Sequence, residues 1–377
     1  MGGSGQTDYD VIVVGSGPAG ISTALHLTKL IPSIQNRMIV VEKSRHPRKK
    51  PCGGGIGGYA DYWLQRLNIS MSIPRLELNS TYIIVARDEY VEYGLYGGGL
   101  RTVLREEFDE ALVNNAMAFG ITVAQDEPVI FFCYHGGAVV VQTSKRSLTT
   151  KVLVGADGAR SLIRRNLCRN SGTRVPKTVC STLQLMEQVD KSNSPEHRDL
   201  KAVVDFSCTF RHGICGYAWT CPVLIKGQTW LNTGIVGFNR TRNCGHSLRQ
   251  TLMEFLAARY ISVDKSRLEG HPIRWFHPSS IFSAQRVLLV GDAAGIDPLW
   301  GEGISFSLGY GCVAANSILH AFEHNDFSFT RYKEQLFEHE VGRELMNRLD
   351  LANNLYRSRR TENVKDHLLS VLSPKQN

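Results

Sequence analysis

The residue best placed to do chemistry in this 377-residue chain is a cysteine set in bare backbone. Cys52 stands in the stretch KPCGGGIGG, residues 50–58, where five of the six residues after it are glycine. A turn needs one glycine; a run of them lets the main chain lie flat against something large, because no Cβ intervenes. The thiol could relay a proton, touch a substrate or only fill space. The densest basic group of the chain, RHPRKK at 45–50, leads directly into it, and such cations favour a thiolate.

Three further groups have spacings that fit nucleotide chemistry. Gly15, Gly17 and Gly20 in GSGPAG have the G-x-G-x-x-G pattern. There the first glycine permits the turn, the second admits a pyrophosphate, and the third lets helix and strand pack closely. Glu42 follows 22 residues after Gly20, where a carboxylate can accept hydrogen bonds from a ribose. VGADG at 154–158 carries Asp157. VGDAAG at 290–295 carries Gly291 and Asp292, with Pro298 and GEG at 301–303 beyond. Asp292 at a strand end can accept from a ribityl hydroxyl, and the helix opening after Gly303 aims N–H groups and positive dipole at an anionic ring.

The elements needed to position these residues are legible. VIVV before Gly15 reads as a short buried parallel strand, and Ile21–Leu30 carries apolar residues at helical spacing. RMIVVEK is a second strand ending at Glu42; KVLVG and RVLLV are two more. The order strand, glycine loop, helix, strand and acid makes the first motif far stronger than its glycines alone.

Taken together, GxGxxG with Glu42, then GADG, then GDAAG with Pro298 and GEG, resemble the FAD-dependent oxidoreductases built like aromatic hydroxylases. The likeness runs over most of residues 8–320. Within that group KPCGGGI is similar to the cysteine–glycine segment of geranylgeranyl-reductase-like enzymes. The resemblance implies FAD as cofactor, lying against Gly15, Gly17, Pro18, Ala19, Gly20, Glu42, Lys43, Cys52, Gly53, Val129, Asp157, Gly291, Asp292, Gly303 and Ile304. It also implies that Arg105 of LREEFDEA, followed by Phe108 and Asp109, meets the flavin nucleotide. KPCGGGI would pass the face of the flavin ring with Cys52 toward the reaction cavity. Asp292 is expected to meet the ribityl chain, and Asp157 to brace the domain. GYAWTCPV at 216–223 is similar to a Y-x-W-x-F-P segment of those reductases, with Tyr217, Trp219 and Pro222 matching and Cys221 where an aromatic is expected. Cys52, Tyr217 and Trp219 are therefore the candidate catalytic residues.

The fold expected is α/β: a Rossmann-like FAD-binding domain from 8–77, 101–170 and 286–325, a second α+β substrate domain on an antiparallel sheet from 78–100 and 171–285, and a helical tail over 326–377. TYIIVA, KAVVDF and TWLNTGIVGF are the strand-like runs of the second domain, with Trp230, Phe238, Trp275 and Phe276 as wall or core. The tail reads as a solvated charged helix with apolar Leu349, Leu351, Leu355, Leu368, Leu369 and Leu372, and leaves room for peripheral membrane contact.

Composition excludes several classes. The net charge is +8 and the pI about 9.0, yet no nucleic-acid recognition motif accompanies the charge. Nine cysteines without a CxxC pair point to reduced thiols, not a disulfide framework or zinc ribbon, and so to the cytoplasm. MGGSGQTDYD reads as no signal peptide. His320 and His324 have zinc-compatible spacing but no third ligand, so no metal is expected. The function expected is reduction of an alkene in an apolar substrate by reduced flavin. The alternative is a flavin monooxygenase, oxidase or halogenase-like enzyme acting on an aromatic ring, which could be a side chain of a partner protein. The electron donor, NAD(P)H or a redox protein, has left no second Rossmann fingerprint.

Overall fold

The computed structural model describes residues 7–86, 89–94, 99–172, 176–188, 196, 199–239, 247–259 and 267–357. Its first layer is an eight-stranded sheet. Ser283–Ala284, Val287–Leu289, Ser147–Gly155, Tyr9–Val14, Met38–Val41 and Thr122–Ala124 lie side by side in that order, with the hairpin Val129–His135 and Ala138–Thr143 paired to Ser147–Gly155. The strands around Tyr9–Val14 are parallel. All of Val11–Val14 and Met38–Val41 are buried, which is why these segments are continuous β-branched runs and not alternating ones.

Two helices cover this sheet, Pro18–Leu30 and Ile304–His324, and they pack on each other. Small residues set their approach. A Cβ on Gly311 would run into Ser22 and Thr23, and Ser22 Oγ donates to the Leu308 carbonyl at 2.5 Å.

A second, seven-stranded sheet has the order Glu269–Arg274, Val179–Glu187, Gln228–Asn239, Ile214–Ile225, Lys201–Asp205, Ser80–Ala86 and Glu89–Gly94. Its pairings are antiparallel except that of Lys201–Asp205 with Ser80–Ala86, which is parallel. One face buries Leu185, Ile235 and Ala218 against Leu252 and Leu256 of the helix Leu248–Ala257. The other face turns toward the first sheet. Three short strands, Gly55–Ile56, Arg101–Val103 and Arg75–Glu77, join the two layers.

The chain end departs from the solvated helix expected of it. Tyr332–Glu338 and Glu340–Arg357 are helices, and the second packs Ala352, Leu355 and Tyr356 into the core of the seven-stranded sheet. The Tyr356 ring stacks on Trp275, centroids 5.7 Å apart and planes 2° from parallel. The charged residues of this helix suggested solvent, but its apolar stripe has a partner. Leu368, Leu369 and Leu372 lie outside the described residues.

Arg348 of this helix approaches Asp297 at 3.5 Å. Asp297 is fully buried. Burial pushes its carboxyl up to about 6, against the opposing pull of Arg348. A raised carboxyl pKa favours the fold while the group is protonated, and that contribution is lost as pH rises from about 4 through about 6. Removing the arginine leaves a buried carboxylate unpaired only where Asp297 would ionise. Arg348→Leu should therefore cost about 3 kcal/mol at pH 7.5 and distinctly less at pH 5. Thermal melts at the two pH values check this; an equal loss at both would dissociate the ion pair from the effect.

Candidate active site

The loop after Tyr9–Val14 is set by steric contact. Gly15 has φ +105°, and a Cβ there would overlap the Ala156 carbonyl oxygen. A Cβ on Gly20 would overlap the carbonyl oxygen of Gly15, and one on Gly291 would sit 2.7 Å from Ala19 Cβ. So the ends of three neighbouring strands close on one another through bare backbone. Gly17 differs: a Cβ there would meet only Arg48 Nη2, at 3.6 Å. The space beside Gly17, at the N-terminus of Pro18–Leu30, is open for a pyrophosphate.

Glu42 stands at the end of Met38–Val41. Its Oε2 accepts from Ser16 N at 2.8 Å and Ser16 Oγ at 2.9 Å, and its Oε1 accepts from Ser44 N at 3.1 Å. It therefore fixes the glycine loop. His46 Nε2 also meets Ser16 Oγ, at 2.8 Å. Arg105 is buried and makes a two-pronged pair with Asp109, 2.9 and 2.8 Å, while Arg48 reaches the same carboxylate at 3.0 Å. These cations hold Asp109 below the usual carboxylate range despite its burial.

Between the two sheets lies a cavity of about 400 Å³, a size that suits a small molecule. Of the residues expected at the cofactor, Pro18, Cys52, Gly53, Arg105, Asp292, Gly303 and Ile304 line it, as do Tyr217 and Trp219. Gly303 is the N-cap of Ile304–His324, and this helix end lies on the cavity beside Glu302, whose carboxylate accepts from Ser305 Oγ. The rest of the expected set, Gly15, Gly17, Ala19, Gly20, Glu42, Lys43, Val129, Asp157 and Gly291, lies outside the cavity lining. Gly15, Glu42 and Gly291 follow strand ends of the first sheet, where α/β folds bind nucleotides. Lys43 is exposed and Val129 half-buried in its hairpin.

Four expectations need correction or sharpening. Gly54 is required by the chain itself: φ is +71°, and a Cβ would overlap the Val103 carbonyl oxygen. The neighbouring strand alone thus requires glycine at this position. Gly57 has open space around it, whereas Gly53 faces the Trp219 indole at 3.4 Å. Asp157 caps a helix: its Oδ2 accepts from Leu162 N at 2.6 Å, at the start of Leu162–Ser171. The Tyr217 hydroxyl donates to the Trp300 carbonyl, so its proton is already committed.

Sequence reasoning missed Lys50, which lines the cavity beside Cys52; burial and Arg105 depress its ammonium pKa, with Asp292 and Asp109 opposing. Its signal was present in RHPRKK, read there only as charge density. His271 is held neutral, down to about 3, by burial and then by Lys50 and Arg105. Among the described residues no cluster of His, Cys, Asp and Glu could hold a metal.

The FAD-binding-domain family model matches residues 8–204, more than half of the chain. The chain belongs to that family. It is an FAD-dependent oxidoreductase. The geranylgeranyl diphosphate reductase of Rhodobacter capsulatus is 26% identical over 326 residues, 82% of this chain and 75% of that one. A geranylgeranyl bacteriochlorophyll reductase-like structure from Thermoplasma acidophilum, 22% identical, superposes with TM-score 0.76 over 97% of this chain and 92% of its own. A flavin-dependent halogenase, 21% identical, does so at 0.68 over 98% and 71%. No helix among the described residues is long and apolar enough to cross a membrane.

The open space beside Gly17, the helix end at Gly303 and Asp292 at the cavity wall fit FAD. A branched side chain at 17 would occupy the pyrophosphate's path, so Gly17→Val should lose FAD while keeping its far-ultraviolet circular dichroism. Asp292→Ala should weaken FAD binding about ten- to hundredfold by removing a charge-assisted hydrogen bond. Asp157→Ala should lower stability, through the lost cap, more than affinity. Flavin fluorescence titration and thermal melts separate the two aspartates; the reverse order would exchange their roles.

Proposed function

We propose that the protein reduces an alkene bond in an apolar substrate held between Cys52 and Trp219. The observation that carries this reading is the cavity wall. Ile83, Val204, Trp219, Val236 and Ile273 face the thiol and the glycine stretch, a lining that binds hydrocarbon by excluding water. The name of the Rhodobacter relative, a geranylgeranyl diphosphate reductase, supports the same class.

Bound reduced FAD supplies two electrons and one hydrogen to one alkene carbon; the other carbon needs a proton. Cys52 is the residue we assign to that proton. Its sulfur accepts from Gly54 N at 3.4 Å, which orients the side chain and leaves the S–H free to donate. Arg105 stands close to this sulfur. Tyr217 is a positioning residue: its hydroxyl holds the Trp300 carbonyl, and burial keeps its phenol protonated. Cys221 also lines the cavity, but burial pushes its thiol up to about 12, so it serves as wall.

Cys52→Ser should retain FAD and slow anaerobic oxidation of the reduced enzyme by a prenyl substrate at least about tenfold, since a hydroxyl is the weaker acid. Cys52→Ala tests the same step without a proton. Unchanged single-turnover rates in both would remove the thiol from the mechanism. No oxidation by any prenyl substrate, together with oxygen-dependent turnover of an aromatic compound, would replace alkene reduction with monooxygenation.

A further inference from the structure

On the cavity face of the seven-stranded sheet, Gln184 of Val179–Glu187 pairs across to Gly234 of Gln228–Asn239, which in turn pairs with Trp219. Gly234 is required there: a Cβ would lie 2.6 Å from Trp219 Cη2. The outer edge of the indole thus rests over bare backbone beside Gln184. The indole and the carboxamide stand side by side on the cavity wall.

Gln184 is 2% exposed and lines the cavity. Its Oε1 has no hydrogen-bond partner among the described residues. The neighbouring polar groups are accounted for differently. Thr182 Oγ1 donates to the His271 carbonyl at 2.7 Å, so it is spent within the sheet. His271 is neutral. On its other side Gln184 pairs with Glu269, which Lys49 holds, and Val236 offers no donor. A buried amide carbonyl left without a donor is costly, and such groups usually meet one.

We propose that the substrate has an apolar body and an uncharged hydrogen-bond donor, a hydroxyl or amide N–H, and that Gln184 receives this donor beside Trp219. Gly234 gives the indole its room, and Trp219 offers the flat surface on which the adjoining carbons lie. Gln184 is then a specificity-determining residue. This rests on the reading of the cavity as the substrate site; it does not depend on alkene reduction.

The test uses the FAD-loaded enzyme and two pairs of probes. One pair is geraniol and the hydrocarbon with methyl in place of its hydroxyl. The other is a para-alkylphenol and the matching para-alkyltoluene. Dissociation constants come from perturbation of the bound flavin spectrum. Water favours the alcohol, so burial of apolar area alone would make the hydrocarbon the tighter ligand of each pair. We expect the hydroxyl member to bind about tenfold tighter in at least one pair. Gln184→Met should abolish that preference while leaving hydrocarbon binding within about twofold, because it keeps volume and removes only the amide.

Equal or reversed affinities in the wild-type enzyme overturn the proposal, and they decide the matter even if Gln184→Met fails to hold FAD. A preference that survives in Gln184→Met also overturns it. A preference confined to the phenol pair sustains the proposal while counting against alkene reduction. Binding of none of the four probes overturns it, since the cavity would then take no ligand of this class.

Discussion

One carboxamide ties the two halves of the site together. Asn232 is fully buried. Its Oδ1 accepts from the Trp219 indole at 2.9 Å and its Nδ2 donates to the Cys52 carbonyl at 3.0 Å. An indole N–H can only donate and a carbonyl can only accept, so a single orientation of the amide satisfies both. No hydrophobic residue could do this, and aspartate would lack the donor. Through Asn232, the strand carrying Trp219 fixes the main chain on which the thiol and the glycines hang.

The other attachment between the layers runs through the segment after Asp292. Ile296 pairs with Trp275, Trp300 receives the Tyr217 hydroxyl, and Asp297 meets Arg348 of the chain-end helix. The residues from Gly291 to Gly303 thereby hold Asp292, the edge of the seven-stranded sheet and the helix opening at Ile304 in one frame. The cavity is thus walled from four directions by elements far apart in sequence.

Sequence reading succeeded where the constraint is local. The parallel strands announce themselves because burial on both faces forces runs such as VIVV and MIVV, and Gly15, Gly17 and Gly20 because their spacing between a strand and a helix is a signal in itself. It failed where the constraint is a distant neighbour. Gly54 was read for a cofactor ring, yet the Val103 carbonyl excludes its side chain. Asn232 and Gly234 lie in TWLNTGIVGF, which reads only as a strand, and Gln184 in a segment, Val179–Glu187, that gave no signal of its own; nothing local tells which face meets a cavity. Asp157 was expected to brace the domain, but nothing local showed that it does so through the helix amide of Leu162. The charged chain-end helix could not reveal that Trp275 waits for Tyr356.

Beside Lys50, His271, Asp292 and Glu302, the cavity is lined by two thiols and one phenol, and the surroundings of these three separate them. Tyr217 has its hydrogen in a bond to a fixed carbonyl. Giving that hydrogen to a substrate would break the contact holding Trp300 in the cavity wall. Cys221 sits where burial makes its anion expensive, with no cation beside it to offset the cost. Cys52 alone combines a main-chain N–H on its sulfur with an arginine within reach. That arginine is itself anchored by Asp109, whose second cation is Arg48. A mobile arginine would follow the charge; an anchored one presents a fixed field to whatever forms at the sulfur, which is the condition for lowering a barrier without reorganisation. The glycines around Cys52 then serve a different purpose from the one their number first suggests. They let the main chain pass between Val103 and Trp219 closely enough to bring this one thiol under that field.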